Sequence, residues 1–187
     1  MKTILALVSA ACLAAPTAGM AAPAAAQSSA AAEGLMHTQT SFDLTVPLAY
    51  EQTAPLFGPE GERAWAGKHW DPKFIHPQPA HDEEGAVFTV RHGPFSAVWV
   101  NSQFDVAGRH FQYVYFLPGL MVTVIDVRFK PLSAGSTAVN VVYARTAIAP
   151  EGNEHVKAMS EGDRTAGKEW QQAIEEHLAQ SAAPAKP

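Results

Sequence analysis

The sequence predicts an α+β domain: an antiparallel sheet of about seven strands, two short helices after the first strand, and one long helix at the C-terminal end. Three observations lead there. Apolar residues alternate with period two in one run after another between Ser41 and Ala149. Turn signals separate these runs at Gly93-Pro94, at Gly108, at Pro118-Gly119 and from Ser133 to Gly135. Beyond Pro150 the apolar spacing lengthens to steps of three and four.

The first strand is expected over Ser41 to Ala49, on the alternation of Phe42, Leu44, Val46 and Leu48, with Pro47 marking an edge or a strand end. Glu51 to Trp65 predicts one or two short helices, interrupted at Gly58-Pro59-Glu60-Gly61. Trp70-Asp71-Pro72 is a turn, Lys73 to Pro77 a short extended piece, and His81 to Glu84 a polar turn. Strands follow from Ala86, over Phe95 to Asp105, Arg109 to Leu117, Leu120 to Lys130 and Thr137 to Ala149. The second of these is expected to carry Val98, Val100 and Phe104 on one face and Trp99 on the other. The third places Phe111, Tyr113, Tyr115 and Leu117 together. The closing helix, Pro150 to Gln180, carries a stripe through Val156, Met159, Asp163, Ala166, Trp170 and Ile174. Pro150 suits its first turn and Asn153 is a candidate cap. Gly162 and Gly167 weaken its middle.

The ends have a different character. Met1-Lys2 is a short positive start, and Ile4 to Ala15 is uncharged and too short to span a bilayer. Ala24-Ala25-Ala26 fits a cleavage site, with Ala22 as an alternative last residue of the signal. The organisation expected is a signal peptide at 1–26, a flexible linker at 27–35, the domain at 36–180 and a disordered tail at 181–187. The destination is periplasmic or secreted. Cys12, the only cysteine, lies in the signal and lacks the aliphatic residue three places before it that a lipobox needs. The mature chain then has no disulfide, thiolate metal site or cysteine nucleophile. The net charge of -5 gives no reason to expect nucleic acid or an anionic membrane as partner. No apolar run approaches the ~20 residues of a membrane span.

Four segments suggest a relationship: Leu56-Phe57-Gly58-Pro59-Glu60-Gly61-Glu62, Trp70-Asp71-Pro72-Lys73-Phe74, Gly85-Ala86-Val87-Phe88-Thr89, and Ala149-Pro150-Glu151-Gly152-Asn153 entering the last helix. With the order of elements and with Trp170 late in the helix, the chain resembles the SRPBCC superfamily over about Met36 to Gln180. That superfamily includes START-related, Bet v 1-like and polyketide cyclase/dehydrase-like proteins. The resemblance implies a helix-grip fold, in which a curved antiparallel sheet wraps the long helix and leaves a cavity between them. It supplies no shared catalytic motif.

The residues expected to line such a cavity are aromatic first: Trp65, Trp70, Phe88 and Trp99, with Tyr113, Tyr115 and Tyr143 on the later strands. Met159 and Asp163 join them from the helix, Asp163 because it falls on the apolar stripe, unless the helix turns it to water at Gly162. Asp126, Arg128, Asn140 and Arg145, polar residues within strands, are assigned to the solvent side of the sheet; an Asp or Arg turned inward instead would need a partner and would make a shifted acid or base or an anion anchor. His69, His76 and His81 stand near several acids, but in a Pro-rich segment without metal-ligand spacing, so no metal and no cofactor are expected. No hydrolase, P-loop or dinucleotide motif is present.

The function expected is that of an exported protein binding a small hydrophobic or lipidic molecule in a cavity of ~300 Å³ or more. One alternative is a cofactor-independent enzyme of the polyketide cyclase/dehydrase type. Another is an interaction module with a filled core.

Overall fold

The computed structural model describes residues 34–182. The signal expected at 1–26, with Cys12, lies outside the described residues, as do most of the linker and residues 183–187 of the tail.

Seven strands form one antiparallel sheet: β1 (His37–Val46), β2 (Lys73–His76), β3 (Val87–His92), β4 (Phe95–Asp105), β5 (His110–Leu117), β6 (Met121–Ser133) and β7 (Ser136–Ala147). Their spatial order is β1-β7-β6-β5-β4-β3-β2. The run from β2 to β7 is therefore a meander, and the first strand adds beside the last. Two short helices, α1 (Tyr50–Thr53) and α2 (Pro59–Glu62), flank a 3-10 turn at Ala54–Phe57 and follow β1. The long helix α3 (Gly152–Ala182) crosses β1, β7 and β6. It runs two residues into the segment assigned to the tail, and among the described residues no helix is long and apolar enough to cross a membrane.

Period-two patterning sends one side of each strand inward. On β5, Phe111, Tyr113, Tyr115 and Leu117 are all buried, and on β7 Val139, Val141 and Tyr143 are. Each such side chain contributes roughly 1.5–3 kcal/mol when fully removed from water. The strand β4 departs from expectation. Its register with β5 slips between Asn101 and Gln103, so that Asn101 faces Tyr113 while Phe104 faces Phe111. One extra residue reverses the alternation beyond it. Phe104 therefore does not share a face with Val98 and Val100; it turns inward and stacks on Phe111 at 4.1 Å between centroids.

Close approach fixes two glycines. A Cβ on Gly152 would stand 1.9 Å from the Leu120 carbonyl oxygen, so only glycine lets α3 start where the β5–β6 turn passes. A Cβ on Gly167 would stand 3.1 Å from the Asp43 carbonyl oxygen and from the Phe42 ring, because β1 runs directly against the helix. Asn153, expected as a cap, does something else. Its Oδ1 accepts from the Met36 N–H at 2.8 Å and its Nδ2 donates to the Gly34 carbonyl at 2.9 Å, pinning the chain entering β1 to the base of α3.

Candidate functional site: an aromatic cavity between sheet and helix

A cavity of about 220 Å³ lies between the sheet, α2 with the loop after it, and α3. The local sequence explains its walls. Glu62, Trp65 and Ala66 are spaced three and four residues apart, which puts them on one side of the turn at the end of α2. Trp65 and Trp70 are then fixed by their indole N–H groups, which donate to the carbonyls of Leu56 at 2.7 Å and Pro59 at 2.9 Å. Strands β3, β4 and β5 supply Phe88, Trp99, Tyr113 and Tyr115; β7 supplies Tyr143. The helix supplies Met159 and Trp170, and Trp170 meets Trp65 and Phe42 edge-on at 5.2 and 5.3 Å. All four tryptophans of the chain thus border one space.

Eight of the nine residues singled out from sequence line this cavity; the exception is Asp163. Its carboxylate is held by the Arg145 guanidinium, with Nη2 to Oδ1 at 2.9 Å and a second contact from Nη1 to Oδ2, and it also accepts from the Thr40 hydroxyl. Asp163 forms instead a wall of an open groove between β1 and α3. The helix does not turn it to water at Gly162; the stripe carries it onto the sheet, where a cation waits.

That cation corrects a second expectation. Arg145 is not on the solvent side of the sheet. It follows Tyr143 by two residues and so shares its inward face, with the guanidinium carbon 4.2 Å from the centre of the Tyr143 ring. Only 3% of Arg145 is exposed, which is tolerable because Asp163 matches its charge. Asp126, Arg128 and Asn140 do keep to the outer face, where Asp126 meets His110 and Arg128, and Asn140 donates to Asp43 at 2.9 Å.

Sequence reasoning also missed Glu62, His92 and Thr123, all on the cavity wall. Glu62 was legible from its spacing to Trp65. Burial, and then the charge of Asp82, holds its carboxyl well above the usual carboxylate range. Burial lowers the His92 imidazole, with His69 adding to the effect, so His92 is neutral at pH 7. Burial also pushes the tyrosines up: Tyr115 to about 12, against the opposing pull of Arg145, and Tyr113 and Tyr143 well above their ordinary value, with the charge of Glu62 adding to both. Tyr113 donates to the Phe57 carbonyl at 2.6 Å. The cavity therefore offers neutral hydroxyls, a neutral imidazole and one carboxyl that holds its proton more tightly than an ordinary glutamate. Among the described residues no three metal-capable side chains converge; His81 pairs with Glu83 and His69 borders the cavity.

The structure is similar to that of norcoclaurine synthase from Thalictrum flavum, solved in complex with dopamine and hydroxybenzaldehyde. The two superpose with a TM-score of 0.59 at 11% identity, over 84% of this chain and 95% of that one. The fold is Bet v 1-like. XoxI from Bacillus cereus shares this Bet v 1-like fold at a TM-score of 0.54 and 16% identity, over 78% and 99% of the two chains. So does the di-domain ARO/CYC BexL from the BE-7585A biosynthetic pathway, at 0.58 and 11%, over 79% of this chain and 48% of that one. No family model and no curated protein sequence matches the chain.

Proposed function

We propose that the protein is an exported carrier or receptor of a small, ring-containing hydrophobic molecule, held in the Bet v 1-like cavity. The observation that carries this reading is the cavity itself, apolar and aromatic on most sides and bordered by every tryptophan of the chain. Its 220 Å³ falls below the ~300 Å³ at which drug-sized pockets begin and above the ~150 Å³ that admits benzene. One ring with substituents, or two fused rings, suits that space; a long acyl chain does not. The size supports the hydrophobic half of the original expectation over the lipidic half.

Intrinsic fluorescence is a direct assay, because any occupant lies against tryptophan. Toluene and naphthalene should each produce a saturable change in tryptophan emission, and palmitate should produce none. Emission that stays constant with both ring probes refutes the reading. Export is tested separately. Expressed with its own leader in a bacterium, the chain should be recovered outside the cytoplasm with its N-terminus at or near Gln27. An exported form that retains Met1, or carries a diacylglyceryl group on Cys12, contradicts this.

A second reading has its own support. Glu62 places a carboxyl with a raised pKa on the wall, near Tyr113 and Tyr143, and such a group suits general acid–base chemistry. A cofactor-independent cyclase or dehydrase of that kind would lose turnover in Glu62→Gln while still binding its ring substrate. A carrier would show no turnover to lose.

A further inference from the structure

We infer that the sheet side of the cavity is a row of hydrogen-bond donors that selects ring compounds bearing an uncharged acceptor oxygen. This rests on the cavity-binding reading and specifies what the cavity takes.

Trp99, Tyr115, Thr123 and Arg145 stand on four neighbouring strands in direct register: Trp99 opposite Tyr115, Tyr115 opposite Thr123, and Thr123 opposite Arg145. Residues paired in this way have Cβ atoms ~4.5–5.5 Å apart on one face of the sheet, so the four form a continuous row. All four border the cavity. Three of them carry a buried polar atom with no hydrogen-bond partner in the protein: Trp99 Nε1, Thr123 Oγ1 and Arg145 Nε. Thr123 and Arg145 are 1% and 3% exposed. Buried polar groups are nearly always paired, and three unpaired ones in one row against a cavity need a common explanation.

The chemistry of those atoms narrows the partner. An indole Nε1 and a guanidinium Nε only donate, and a threonine hydroxyl can rotate to donate. The partner is therefore an acceptor. A pure hydrocarbon leaves all three unmet. A carboxylate is disfavoured as well, because Asp163 already matches the Arg145 charge and a second negative charge would enter an enclosed site uncompensated. An uncharged oxygen, as in a ketone, ester or ether, can accept from one or two neighbouring members of the row and adds no charge.

Three probes of nearly equal size and shape separate the cases. Acetophenone carries the acceptor oxygen, α-methylstyrene replaces that oxygen by CH2, and benzoate carries the charge. Titrated calorimetrically into the purified protein, acetophenone should bind about tenfold or more tighter than α-methylstyrene, the scale set by leaving buried donors unmet. Benzoate should bind more weakly than acetophenone. Thr123→Val and Trp99→Phe, which remove one polar atom each and keep most of the shape, should each shrink the preference for acetophenone over α-methylstyrene. Thr123→Val should also melt no lower than the parent, because the hydroxyl it removes has no partner. Equal affinity for acetophenone and α-methylstyrene overturns the inference and leaves the cavity reading intact, as does tightest binding of benzoate. A preference that neither substitution changes also overturns it. If neither uncharged probe binds, the inference and the cavity reading fall together.

Discussion

Replacing Asp163 with alanine tests the least expected feature of the fold. The substitution leaves the Arg145 guanidinium, 3% exposed at its side chain, without the carboxylate that holds both its terminal nitrogens. It also frees the Thr40 hydroxyl. Removing one member of a buried ion pair costs ~3–5 kcal/mol, chiefly from the uncompensated charge that remains. Asp163 borders the open groove between β1 and α3, so its loss admits water to Arg145. That places the cost at the low end, about 3 kcal/mol, and for a domain of this size lowers the melting temperature by roughly 6–12 °C. Differential scanning calorimetry measures it. The companion is the double replacement Arg145→Met with Asp163→Leu, which removes both charges and keeps the volume apolar. It should melt close to the parent or above it. An Asp163→Ala protein that melts within about 2 °C of the parent would refute the assignment of a desolvated, mutually dependent pair.

Three further outcomes follow from the packing. Gly162 has open space where a Cβ would go, so Gly162→Ala should stabilise by about 1 kcal/mol in urea denaturation. Gly167→Ala should destabilise by roughly 1–3 kcal/mol although alanine favours the helix, because β1 backbone stands in the way; a stabilised Gly167→Ala would mean that α3 and β1 are further apart than described. Trp170→Ala deletes a ring wedged among Phe42, Phe57 and Trp65, and should cost ~3–5 kcal/mol; a variant as stable as the parent would remove α3 from its place over the sheet. Because the folded state raises the Glu62 pKa, it binds this proton more tightly than the unfolded chain, and the parent loses stability as pH rises from the ordinary glutamate range through the raised value. Glu62→Gln should therefore gain on the parent as pH rises above the ordinary glutamate range, and a difference independent of pH would contradict the buried carboxyl.

Much of this arrangement was legible in the sequence because it rests on period and punctuation. Tyr113 and Tyr115 had to share a face, since they are two residues apart in an unbroken strand. Trp65 and Trp70 could be placed near the first helices, since glycine and proline delimit them. What was not legible required knowing where the chain meets itself. Arg145 was assigned outward on the general habit of charged residues, although its own alternation with Tyr143 pointed inward. Its partner lies on another element, and no local pattern announces an ion pair between strand and helix. Phe104 was misplaced by the bulge at Asn101 to Gln103, which leaves no mark in composition. Gly167 showed in the sequence only as a weak point of the helix; the reason for it, the strand β1 packed against that side, is tertiary.

The pairing of β1 with β7 also governs when the molecule becomes a folded object at all. The first strand waits for the last, with nearly a hundred residues between Val46 and its partner Thr137 still to emerge from the ribosome. Until then β1 has no neighbour, β6 presents a bare edge, and the aromatic interior has no roof, because α3 comes later still. Such long-range closure makes for slow folding and a long interval in which sticky surface is uncovered. A chain interrupted anywhere before Ala147 would therefore be a poor subunit and a good substrate for chaperones. If the chain is exported as proposed, that delay becomes an advantage, since nothing near its leading end can set before the crossing is complete.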